Sequence, residues 1–170
     1  YYISKITPQG VESQYWTASV SGESPGPMVV DSNNNLICVI NDYNDSTINT
    51  KICRIRNDNS NETIFDLSTI IHNKVVNNYN ITGITINSKD ELFMCELMND
   101  HNSIWNGGRI LKFNSETGIH VLAGDTSQGN NNYQEGLPSL AKFNHPSSIA
   151  VDIYDNLYVV EQVMNKLVKI

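Results

Sequence analysis

The sequence contains no apolar run near the ~18 residues that a membrane-spanning helix requires. Cations are scarce as well. Eleven Lys and Arg stand against 18 Asp and Glu, giving a formal net charge of −7. The basic residues are scattered, which disfavours a nucleic-acid backbone or an anionic membrane surface as the partner. Cysteine occurs three times, at Cys38, Cys53 and Cys95, with no Cys-x-x-Cys, so neither a disulfide framework nor a thiolate metal site can be read from spacing. The four histidines, His72, His101, His120 and His145, lack paired metal-ligand spacing. No Gly-rich phosphate loop, Gly-x-Ser-x-Gly elbow or nucleophile triad is readable. The oxygen-rich stretch Asp125 to Asn132 lacks the acidic ligand spacing of a calcium loop. No catalytic residue, cofactor or metal site is therefore expected.

What the chain has instead is uncharged polarity, including 24 Asn in 170 residues. Such a bias alone would fit a low-complexity tract. Its distribution points elsewhere. The Asn residues cluster at 33–35, 57–61, 77–80 and 130–132, and short runs of Ile, Val, Leu and aromatic residues lie between the clusters. Leu36 to Ile40, Leu92 to Cys95 and Leu157 to Val160 are such runs. They read as short strands separated by Asx-rich turns. Several are apolar at every position, which fits strands covered on both faces. No window carries a 3.6-residue apolar period of helical length.

A repeat organises these strands. Pro25 to Val39, Thr82 to Glu96 and Pro146 to Glu161 share one plan: an apolar strand, an Asx residue (Asp31, Asn87, Asp152), then Leu five positions later (Leu36, Leu92, Leu157). Each copy closes with a strand mixing Lys or Arg with apolar residues: Lys51 to Ile55, Arg109 to Phe113 and Lys166 to Ile170. Thr63 to Leu67 and Ile119 to Gly124 supply fourth strands, while Tyr2 to Ile6 and Gln14 to Ala18 read as the third and fourth strands of a preceding unit. Four short strands with both faces apolar is the pattern of a propeller blade.

The third copy resembles the NHL-repeat β-propellers most specifically. Gln134 to Pro146 is similar to the family's linker, and Ala123-Gly124 to the pair that ends its fourth strand. Ile149-Ala150-Val151-Asp152 and Asn156-Leu157-Tyr158-Val159 follow in the family's order, and Asn165 stands at its namesake Asn. Lys166-Leu167 and Glu161 depart from the pattern. The resemblance implies an all-β fold of about three and a half blades from a six-bladed ring. Residues 1–20 would end one blade, 21–70 and 71–124 would be blades, and 125–170 a linker and an incomplete blade. So few blades cannot close a ring, and further blades of the same protein or another chain are expected to complete it.

The resemblance implies a non-enzymatic scaffold for protein–protein interaction through loops or the top face, with a metal-dependent lactonase-like or lyase-like enzyme and an RNA-binding domain as alternatives. In the related zinc-dependent lyases a ligand His follows the first-strand proline. Here those positions are Gly26, Thr82 and Ser147, so that ligand set is absent. Long hairpin segments nominate Asn41, Tyr43, Asp45, Asn99, His101 and Trp105 as binding-loop residues. Asn44, Asn61 and Asn80 head glycosylation sequons that matter only in a secreted chain. The hairpin register carried over from copy three sets Cys38 opposite Ile52 and Cys53 opposite Ile37, with the two thiols on opposite faces. Unpaired thiols favour a reducing, cytoplasmic compartment over an extracellular one.

Overall fold

The computed structural model describes residues 1–18, 21–43, 49–67, 79–99, 105–124 and 133–170, and its fold is all-β. A hairpin of β1 (Tyr2–Ile6) and β2 (Glu12–Thr17) comes first. A four-stranded sheet follows, built from β3 (Glu23–Val30), β4 (Leu36–Asp42), β5 (Asn49–Ile55) and β6 (Asn61–Asp66). The next four-stranded sheet contains β7 (Tyr79–Ile86), β8 (Leu92–Asn99), β9 (Trp105–Asn114) and β10 (Gly118–Ala123). The last has three strands, β11 (Pro146–Val151), β12 (Leu157–Glu161) and β13 (Lys166–Lys169). Every pairing is antiparallel between strands adjacent in sequence, the simplest meander a chain can make.

The runs that are apolar throughout are explained by three separate cores. Ile37 and Val39 of β4 turn one way and pack, with Ile52, against Ile84, Leu92, Met94 and Leu111 of the next sheet. The alternate residues Cys38 and Ile40 turn the other way, onto Ile3 and Trp16 of the first hairpin. In β8 the same division sends Leu92 and Met94 back toward the preceding sheet and Phe93 and Cys95 forward, onto Ile149, Leu157 and Val159. Side chains alternate across a strand, so a sheet sandwiched between two others needs an apolar residue at every central position.

The register of the β4–β5 hairpin corrects the expectation for the thiols. Cys38 lies directly opposite Cys53, and Ile52 opposite Val39, so the two cysteines share a face and both thiols are free. The anchor is the repeat's Leu. Leu36 pairs with Ile55 and Leu92 with Phe113, as Leu157 exchanges backbone hydrogen bonds with Ile170 at 3.2 and 2.9 Å. A one-residue slip would swap the faces of β5. It would carry Ile52 out of the core it shares with Val39 and turn Arg54 away from Asp31, 3.4 Å distant.

One turn is built three times. The carboxylate oxygen Oδ1 of Asp31 accepts from the N–H of Asn33 and Asn35 at 3.0 and 2.8 Å. Asn87 Oδ1 does the same for Lys89 and Glu91, and Asp152 Oδ1 for Tyr154 and Asn156. The fourth residue of each turn, Asn34, Asp90 or Asp155, has a φ near +60°, a left-handed conformation that Asn and Asp tolerate best among non-glycine residues. Among the described residues Asn59 and Asn165 are the other two non-glycine residues with positive φ, so part of the asparagine excess is turn geometry. The amide of Asn156 holds the Asp152 carboxyl down to about 2.

In the outer copies an Asn amide donates to the Asp carboxylate, at 3.0 Å in Asn35–Asp31 and 2.7 Å in Asn156–Asp152. The middle copy exchanges the roles, Asn87 donating to Glu91 at 2.8 Å. Asn87→Asp alone should set two carboxylates against each other and cost about 1–2 kcal/mol. Adding Glu91→Asn restores the outer-copy arrangement, with Lys112 facing the new carboxylate as Arg54 faces Asp31. Urea unfolding of the double-mutant cycle should then show favourable coupling between the two sites. Strict additivity would refute the shared turn design.

The three turns adjoin. The N–H and hydroxyl of Ser32 donate to the Asp90 carboxylate at 3.0 and 2.5 Å, and Lys89 lies 3.6 Å from Asp155. Strands β7 and β11 also come close. The Thr82 hydroxyl donates to the Pro146 carbonyl at 2.6 Å, and a Cβ on Gly83 would stand 2.9 Å from Ser148 Cα. Glycine is needed there because backbone meets backbone.

Candidate interaction surface

Strand direction fixes which loops share an end. The first strand of each three- or four-stranded sheet runs into an Asx turn and these turns adjoin, so the β4–β5, β8–β9 and β12–β13 hairpins and the entry to β11 lie at the opposite end.

Three of the nominated residues lie in strands there. Asn41 sits in β4 opposite Thr50, whose hydroxyl donates to its side-chain oxygen at 3.0 Å. Asn99 and Trp105 face each other across β8 and β9. Both ladders therefore run further than the sequence suggested: on β4 and β5 the paired Asn, Thr and Asp residues carry no apolar alternation, and on β8 the register shifts between Leu97 and Asn99. Tyr43 follows β4 and is half exposed, its N–H donating to the Gly22 carbonyl at 3.2 Å. Asp45, His101 and the sequon residue Asn44 lie outside the described residues. Asn61 opens β6 and Asn80 lies in β7, both exposed.

The segment entering β11 contributes more than sequence reasoning assigned to it. Gln134 and Lys142 exchange backbone hydrogen bonds at 3.0 and 2.9 Å, closing a loop that presents Leu137 and Leu140 at 69% and 58% exposure. Leu137 and Leu140, set beside Gly136 and Pro138, were the available signal. The β12–β13 turn adds Val163 and Met164, also exposed. Exposed apolar side chains suit a contact surface, and the opposite end carries its own, Ile153 and Tyr154 of the third Asx turn.

This loop is pinned from below. The Gly108 N–H donates to the Phe143 carbonyl at 2.9 Å. The carboxylate of Glu161, fully buried, accepts from the N–H of Asn144 at 2.7 Å and from that of His145. Burial nonetheless pushes the Glu161 carboxyl up. A lone acid closing an apolar strand was its sequence signature. Beside it Glu96 and Arg109, opposite each other on β8 and β9, form a buried ion pair at 2.5 Å.

A cavity of about 460 Å³ opens next to the loop, between Ala123, Tyr133, Leu137, Phe143 and the edge of β13. At its rim Lys166 donates to Glu135 at 2.8 Å and stands 4.5 Å from the centre of the Tyr133 ring. The Tyr133 hydroxyl donates to the same carboxylate at 3.0 Å. Desolvation, followed by Glu135, pushes that hydroxyl up to about 12.

No family model and no curated protein matches the chain. The chemistry of the surface must therefore be read from its own residues. Among the described residues no three His, Cys, Asp or Glu side chains gather as a metal-binding group. Apolar side chains on pinned backbone suit recognition of another macromolecule.

Proposed function

We propose that the chain is part of an NHL-type β-propeller and works as a non-enzymatic scaffold, binding protein partners at the hairpin end. The carrying observation is that the hairpin end exposes Leu137, Leu140, Val163 and Met164 on backbone anchored to the strands, against Ile153 and Tyr154 in a single turn at the other end. Support for the propeller comes from the sequential stacking of the sheets, with alternate residues of each central strand buried forward and backward. On β12 the forward-facing positions are Tyr158 and Val160, and Val160 is 42% exposed. Their counterparts in β4 and β8 are Ile37 with Val39, and Phe93 with Cys95, all buried. A further blade of the same protein, or a blade from another chain, would cover that face.

The test is site-specific photo-crosslinking in cells producing the protein. Probes replacing Tyr43, Leu140 and Met164 should capture protein partners, and probes at the opposite end, replacing Asn34 and Glu116, should not. Equal capture from both ends would sink the assignment of the surface.

A further inference from the structure

Two of the three cysteines are placed as a pair. Cys38 and Cys53 lie directly opposite each other on β4 and β5 with both thiols free, and both belong to the core beneath the first hairpin, with Ile3 and Trp16. The third cysteine is set apart. Cys95 is buried on the forward face of β8, in the core it shares with Ile149 and Val159. A single cross-link is therefore open to the folded chain. The other two sheets fill the same ladder position with apolar pairs, Met94 with Leu111 and Val159 with Val168, so the fold itself does not require sulfur there.

The spacing suits a bond. Leu157 and Ile170 exchange both backbone hydrogen bonds, and the matching pair in the first four-stranded sheet is Leu36 with Ile55. The register runs on without a shift, so Cys38 and Cys53, two residues along, are again a hydrogen-bonded pair. The Cα atoms of such a pair lie ~5.5 Å apart, inside the range of about 4.4–6.8 Å that disulfides span. Its Cβ atoms lie toward the wide end of ~4.5–5.5 Å, against about 3.5–4.5 Å in a relaxed disulfide. Closing that gap strains the bond, and strained disulfides are the readily reduced ones.

We propose that Cys38 and Cys53 form a reversible oxidation site, closed to a disulfide by exchange with a low-molecular-weight disulfide. Cys53 is partly exposed and Cys38 fully buried, so Cys53 meets the reagent first. Its thiolate attacks one sulfur of the reagent, forming a mixed disulfide and expelling one thiolate. Cys38 then loses its proton, attacks the Cys53 sulfur and expels the second. The two cysteine protons end on the two released thiols, so the pair is oxidised by two electrons and the reagent is reduced by two. The second step crosses one rung of the ladder and has the high effective concentration of an intramolecular reaction. The site is independent of the scaffold reading. Its closure clamps the β4–β5 hairpin, which carries Asn41 to the hairpin end.

The probe is oxidised glutathione, incubated with the folded 170-residue chain. Burial raises both thiols, Cys38 up to about 12, so the reaction is run at about pH 8.5 to speed the exchange. Acid quenching, alkylation in urea, intact mass and peptide mapping read the products. The expected product has lost two hydrogens, links Cys38 to Cys53, leaves Cys95 to the alkylating agent and returns to free thiols with dithiothreitol. Amide exchange in β5 should slow in the oxidised chain. Cys38→Val takes the residue that β12 has at the equivalent place, and it should instead accumulate the glutathione adduct at Cys53, roughly tenfold above wild type. Three free thiols after prolonged oxidation, a persistent adduct at Cys53 in the wild type, or a link to Cys95 would each overturn the proposal.

Discussion

Gly108→Ala should be among the most damaging small substitutions in the chain, costing about 3 kcal/mol or more and threatening folding altogether. A Cβ at this position would stand 2.3 and 2.4 Å from Pro146 Cδ and Cγ and 2.9 Å from the Glu96 carbonyl oxygen. No rotamer relieves such contacts, because a Cβ has none. Gly108 is also where the β9 ladder meets the segment entering β11, through its bond to the Phe143 carbonyl, so retreat of either backbone would strain both sheets. The collision is specific enough to be partly undone. Pro146→Ala removes the ring atoms and leaves only the Glu96 carbonyl contact, so the double variant should recover a measurable share of the loss in urea unfolding, in spite of the apolar contact that Pro146 itself gives up. If Pro146→Ala deepens the defect by its full single-site cost, the packing described between β9 and β11 is wrong.

The sequence made the sheets and their turns legible because both depend on local spacing. Asp31, Asn87 and Asp152 each precede a Leu by five positions, and each closes the same turn with the same two N–H donors. Register was less legible. Whether Cys38 faces Ile52 or Cys53 is a difference of one residue, and it is decided by which neighbouring sheet receives Ile52, a tertiary fact absent from the hairpin's own sequence. The extensions of β4 and β8 to Asp42 and Asn99 were hidden for a related reason. On β4 the paired residues are polar, and on β8 the register shifts between Leu97 and Asn99, so neither stretch shows a regular alternation. The interaction surface was legible only in its hairpins. Leu137, Leu140 and Glu135 lie in a stretch whose resemblance to a linker masked its exposed apolar residues, and the cavity beside them is lined by residues far apart in sequence, Ala123 and Phe143 with Val168 and Ile170.

The pair Glu96–Arg109 should behave as a unit whose halves cannot be separated. Glu96 is 1% exposed, and its Oε1 has no hydrogen-bond partner, so the carboxylate depends on the guanidinium at Oε2. Arg109→Met leaves that charge buried and unpaired, and the expected cost at neutral pH is about 3–5 kcal/mol. Removing both partners should be far milder. The first four-stranded sheet already places Ile40, 2% exposed, and Lys51 at the equivalent positions, and apolar replacement of a buried ion pair is often near neutral. Glu96→Ile with Arg109→Met should thus unfold within about 1–2 kcal/mol of wild type. A double variant as unstable as Arg109→Met alone would mean that the pair positions the segment entering β11, beyond neutralising its own charge.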